Sequence, residues 1–180
     1  MLAALAGFVR LAERTNEVVG RAAAWLALGT VLVCFATVYT RYALNTNYTW
    51  LQELYIWQHA AAIVIGAGFT MLIGGFVRVD ILYGRMAPRR RALVDLLGTL
   101  VFLLPFLVVL WTAFDTFVLN ALRVDEGSPN PGGLPNWWLL KGTLLAFVLL
   151  VGLQGLALMA RSVLVLAGDE SWAPKHAGGH

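Results

Sequence analysis

Charge is absent from four long stretches of this chain, and their length limits what it can fold into. Between Arg21 and Arg41 lie 19 residues without Asp, Glu, Lys or Arg. Between Glu53 and Arg78 lie 24, between Asp95 and Asp115 19, and between Lys141 and Arg161 19. A helix needs about 20 mainly apolar residues to cross about 30 Å of hydrocarbon. No other gap between charges reaches that length. The stretches lack the two-residue alternation of a membrane barrel. The composition agrees: 59% of residues are hydrophobic and 13% charged, with a mean hydropathy of +0.74, against about 25% charged in soluble domains. The expected fold is an all-α membrane protein of four transmembrane helices. The spans fall near 22–40, 54–76, 96–114 and 142–160. They make one domain over 1–168, and 169–180 form a flexible C-terminal tail.

Ten of the thirteen basic residues belong to one side: Arg10, Arg14 and Arg21 before the first span, Arg78, Arg85, Arg89, Arg90 and Arg91 in the second connection, and Arg161 and Lys175 after the fourth. Only Arg41, Arg123 and Lys141 fall on the other. The positive-inside rule places both termini in the cytoplasm. The Arg89-Arg90-Arg91 cluster is read as a topology signal, with anionic lipid as a second role. The basic balance therefore marks membrane topology, not nucleic acid. The N-terminal segment has no basic start, and Arg10, Glu13, Arg14 and Glu17 interrupt its apolar run. It is expected to stay attached rather than act as a signal peptide.

The spans carry no charged residue at their centres, which argues against an ion or proton path within this chain alone. His59 is the only histidine near a span, too few for a membrane haem with two histidine ligands. It is read as an interfacial hydrogen-bonding residue. Cys34 is a small apolar helix residue. No paired carboxylates, Cys-rich cluster, nucleophile constellation or phosphate loop is present. The sequence therefore indicates no catalytic, metal or cofactor site.

The residues singled out concern packing and partners. Trp50, Leu54 and Trp57 share a helical face with Glu53 beside them, so a helix begins in the interface before the second span. Ala62, Gly66, Thr70 and Gly74 recur every four residues, a spacing that lets helices approach closely in lipid. Pro105 is expected to bend the third helix. Asp95 is one turn from Arg91 and is expected to pair with it. Asp115 belongs either to an outer polar face or to a partner contact. Gln154 is expected to hydrogen-bond across helices. In the outer stretch RVDEGSPNPGGLPNWWLLKG, Pro129, Pro131 and Pro135 stiffen the chain and Gly132 and Gly133 allow a reversal. Asn136 is the expected N-cap of the fourth helix, Trp137 and Trp138 set its depth, and Lys141 snorkels outward. A connector needs less rigid backbone than this, so the loop is a candidate contact surface.

Four ordered motifs carry a family resemblance over roughly 20–167. They are RYALNTNYTWLQEL after the first span, VRVDILYGRMAPRRRALVDLLG across the inner connection, and EGSPNPGGLPNWWLLKG before the fourth, followed by LQGLA. Together with the four spans, the pattern resembles the small permease (Q) subunit of TRAP transporters, the tripartite ATP-independent periplasmic family. Gln52 departs from it, standing where many members carry the first of two acidic residues. The resemblance implies an inner-membrane scaffold subunit with two partners: a large (M) permease subunit that holds the sodium and substrate sites, and a periplasmic binding protein that delivers an organic acid or similar solute. On that basis Trp50, Glu53, Trp57, Gly66, Thr70, Gly74, Asp115, Pro131, Gly132, Gly133, Trp137 and Gln154 are candidate partner-interface residues. The alternatives are a membrane anchor of a redox complex and a stand-alone four-helix exporter.

Overall fold

The computed structural model describes residues 2–76 and 83–173. Four long helices account for most of them: α1 (Leu2–Ala43), α2 (Thr49–Leu72), α3 (Pro88–Arg123) and α4 (Trp138–Leu166). Each is long and apolar enough to span a membrane. Arg78 and the VRVD part of the inner motif lie outside the described residues, as do Lys175, His176 and His180 of the expected tail.

The α1 helix has 42 residues, about 63 Å at 1.5 Å per residue, roughly twice the hydrocarbon thickness. The charged N-terminal segment is therefore the first half of α1. It is held there by α4, which runs on to Leu166. Val9, Ala12 and Asn16 of α1 and Ala157, Leu164 and Val165 of α4 are almost fully buried. Glu13 and Arg161 form an ion pair across this contact at 3.3 Å. Residues 169–173, assigned from sequence to the tail, are folded in part as a short turn, Glu170–Trp172. The Arg10 guanidinium lies 5.7 Å from the Trp172 ring centre.

Three helices, α1, α2 and α4, pack on one another, and α3 packs along α4. A small core joins α2, α3 and α4 through Ala67, Leu107 and Val151, flanked by Leu103 and Phe147. Glycines permit the closest approaches. The Cα of Gly20 faces the Phe69 side chain, and that of Gly68 faces the Asn16 carboxamide and the Leu150 backbone. At Asn16 the side-chain NH₂ donates to the Gln154 carbonyl at 3.1 Å and to the Ala12 carbonyl at 3.2 Å. Gln154 thus bonds across helices, as its place in an apolar span requires.

Pro105 acts through a local change of helix type. The five residues before Leu104 form a π turn, with the Leu104 N–H bonded to the Thr99 carbonyl. Proline lacks a donor and crowds the preceding turn of an α-helix. A wider turn just upstream relieves that crowding. A second π turn covers Asp115–Leu119. Asp95 does not take Arg91 as its partner. The Tyr83 hydroxyl donates to Asp95 at 2.6 Å, and Arg91 turns back to the Gly84 carbonyl at 2.8 Å. Arg91 reaches a carbonyl of the preceding connection, so the chain folds over its own helix start instead of using the i, i+4 pair.

Candidate functional site

The outer end of the molecule is organised around one carboxylate. Glu53 lies in the first turns of α2, one turn before Trp57, and its residue exposure is 6%. Burying a charge without partners is very costly, and the loop between α3 and α4 supplies them. The Asn130 side-chain amide donates to Glu53 Oε1 at 3.1 Å, and the Leu134 backbone N–H donates to Oε2 at 2.6 Å. The Ser128 hydroxyl also donates to Oε1.

The loop sequence explains why these donors are available. Pro129, Pro131 and Pro135 have no N–H, which leaves few amides to satisfy. Ser128 N–H bonds to the Leu134 carbonyl at 3.1 Å, Asn130 N–H to Ser128 Oγ at 3.0 Å and Gly133 N–H to the Asn130 carbonyl at 3.0 Å. The loop neck closes where Trp137 N–H meets the Glu126 carbonyl at 2.8 Å. Gly132 turns the tip with φ +73°, a conformation that glycine adopts without a steric penalty. Gly133 lies against the Ser128–Glu53 pair so closely that a Cβ there would collide with both. At the base, the Trp57 and Trp137 rings meet edge to face with centres 6.1 Å apart.

Asn136 does not cap α4. The cap position is Trp137, with no side-chain capping bond, and Asn136 has φ +59°. The loop enters the helix through a left-handed residue, a role asparagine tolerates. Lys141 is turned inward to pair with Glu126 at 2.6 Å, with its ammonium 4.7 Å from the Phe117 ring centre. The loop supplies a carboxylate within reach, so the lysine need not seek water.

Tripartite ATP-independent periplasmic transporters have a family model for their DctQ component, and it matches residues 30–165 of this chain. The chain belongs to that family. It is the small membrane subunit of a TRAP transporter, a protein of the bacterial inner membrane that works with a large permease and a periplasmic binding protein. Comparison with curated proteins and with solved structures finds no match. The matched region includes all of α2, α3 and the outer loop, and so the whole Glu53 site.

Within this DctQ subunit the candidate interface residues separate into groups. Glu53, Trp57, Gly133 and Trp137 come together in the outer corner just described. Glu53 is turned into its own chain and is not displayed on the surface. Pro131 and Gly132 are exposed at the loop tip, and Trp50 is exposed at the start of α2. The segment from Trp50 to Trp57, expected to begin the helix before the second span, forms the first turns of α2, which runs on from Thr49 to Leu72. Gln154 is 3% exposed and belongs to the Asn16 junction. Asp115 is exposed and sits 3.6 Å from Arg123, a pairing of little energetic weight at a surface. Along α2, the small residues buried by this chain are Ala67 and Gly68. Gly66 and Thr70 are half-buried, and a Cβ at Gly66 would meet open space. Gly74 lies beyond the helix with φ +70°. Arg89 and Arg90 are exposed, whereas Arg91 is half-buried on Gly84.

Sequence reasoning did not single out Ser128, Asn130 and Leu134 as partners of Glu53, nor Asn16 as the partner of Gln154. One available signal was the lone carboxylate of the segment between Arg41 and the second span. It needed donors, and the proline-spaced loop had them.

Proposed function

We propose that this subunit supports the large permease in sodium-coupled uptake of an organic acid or similar small solute delivered by the periplasmic binding protein. Support comes chiefly from the family match over 30–165 together with the lack of charge at the span centres. A charged solute or ion crossing through this chain would need polar or charged groups at membrane depth. Among the described residues the ion pairs lie outside the charge-free stretches, as Glu13–Arg161 and Glu126–Lys141. The apolar residues that the chain leaves exposed include Phe35, Phe102, Val108 and Trp111, side chains suited to lipid or to a neighbouring membrane helix. The Gly66–Thr70 strip is a contact for the large permease, and the outer loop tip at Pro131–Gly132 is a contact for the large permease or the docked binding protein.

The test is co-expression with the large permease. A stable complex on detergent purification is expected, with solute uptake lost when this chain is deleted. Clean separation of the two chains, with uptake unaffected by the deletion, would sink the reading. Replacing sodium in the uptake assay tests the coupling ion separately.

A further inference from the structure

The geometry points to Glu53 as the positioning residue of the outer loop: its carboxylate pins residues 128–134 to α2 and fixes the shape in which the loop meets its partner. The mutual arrangement is specific. Three donors converge on two oxygens, and they come from a hydroxyl, a side-chain amide and a backbone N–H. Three further loop amides are consumed inside the loop, on the Leu134 carbonyl, the Ser128 hydroxyl and the Asn130 carbonyl. All three acceptors belong to residues that themselves bond to Glu53, so the loop's internal order depends on the carboxylate. The outward tip is left with Pro129, Pro131 and Gly132, exposed and uncharged. The carboxylate is buried behind them. The partner that would meet this outer tip from solution is the periplasmic binding protein of the family, and a loop ordered in advance loses little conformational freedom on docking.

The consequence for transport rests on reading the loop as a docking surface; the pinning itself does not. Glu53→Gln separates the two. Glutamine has the same shape but one oxygen in place of two. In either orientation its NH₂ confronts the Leu134 N–H or the Asn130 NH₂, donor against donor. In the purified chain, amide exchange at Ser128, Gly133 and Leu134 is expected to accelerate about tenfold or more, consistent with loss of a charge-assisted bond. Exchange within α2 and α4 stays unchanged. Glu53→Asp keeps both acceptor oxygens and should fall between the two. In the reconstituted transporter, Glu53→Gln should raise the concentration of solute-loaded binding protein needed for half-maximal uptake, with the maximal rate retained.

Unchanged loop exchange in Glu53→Gln overturns the pin. Accelerated exchange with an unchanged uptake curve upholds the pin and overturns docking of the binding protein on the loop. Should Glu53→Gln fail to fold, Ser128→Ala combined with Asn130→Ala removes two of the three loop donors and leaves only the Leu134 N–H on the carboxylate. Protection at Gly133 that survives this pair also overturns the proposal.

Discussion

At the scale of single residues, the outer corner shows how a charge can be kept in an apolar protein. Glu53 is buried and fully engaged, while Asp115 is exposed and only loosely paired. The contrast lies in the number of donors brought to each. Gly133 is the residue through which the corner is most easily disturbed, because its missing side chain leaves room for the Ser128–Glu53 contact. Gly133→Ala should destabilise the purified chain by about 1–3 kcal/mol, the usual range for overpacking a close contact. Thermal unfolding in detergent would measure the loss. Gly132→Ala tests a different property, since a Cβ there meets open space but φ is +73°. It should loosen the tip without disturbing Glu53.

At the scale of elements, α2 has two small-residue faces with different tasks. Ala67 is used by this chain against α3 and α4, and Gly68 against α1 and α4. Gly66 and Thr70 lie beside them, with open space at Gly66. Helix periodicity turns neighbouring positions about 100° apart, so an every-fourth-residue pattern shows that a packing face exists but not which neighbour takes it. Gly68→Ala should lower the stability of the isolated chain by about 1–3 kcal/mol, because its Cβ would strike the Asn16 carboxamide. Gly66→Leu should leave that stability unchanged and reduce the yield of the complex with the large permease on affinity purification. Equal effects of both substitutions on the isolated chain would remove Gly66 from the partner interface. The third helix shows the same dependence on context. Pro105 indicated a disturbed helix, but the disturbance is a π turn between Thr99 and Leu103, chosen by the local hydrogen-bond ladder.

At the scale of the whole molecule, the remaining question is which way the subunit faces. The arginine distribution expects both termini inside. Exposure decides which positions can carry a label. Ala92 is fully buried and Ser128 is bonded to Glu53, so neither suits a label. Ala87 and Pro131 are exposed. In a Cys34→Ser background, an impermeant thiol reagent applied from the outer side should label Pro131→Cys and spare Ala87→Cys. The opposite pattern reverses the orientation. The long α1 also belongs to this scale. Its charged first half is helical and docked on α4, because Val9 and Ala12 give it an apolar face that α4 extends far enough to cover and Asn16 finds Gln154 there.

The sequence by itself determined the membrane class, the four helices and the family. Those properties follow from one-dimensional facts: the length of charge-free runs against bilayer thickness, and ordered motifs along the chain. Some local expectations also held, such as Gln154 bonding across helices, since an amide in an apolar span has few other outlets. The tertiary structure alone decided the partners. Asn16 and Gln154 are 138 positions apart and Glu53 and Leu134 are 81 apart, so no local pattern links them. Asp95, Lys141 and Asn136 each had a reasonable local role and took another. In each case the fold brought a better acceptor, a nearer countercharge or a backbone turn that short-range spacing does not encode. Buried polar groups must be satisfied, and which groups satisfy them is fixed only once the helices have packed.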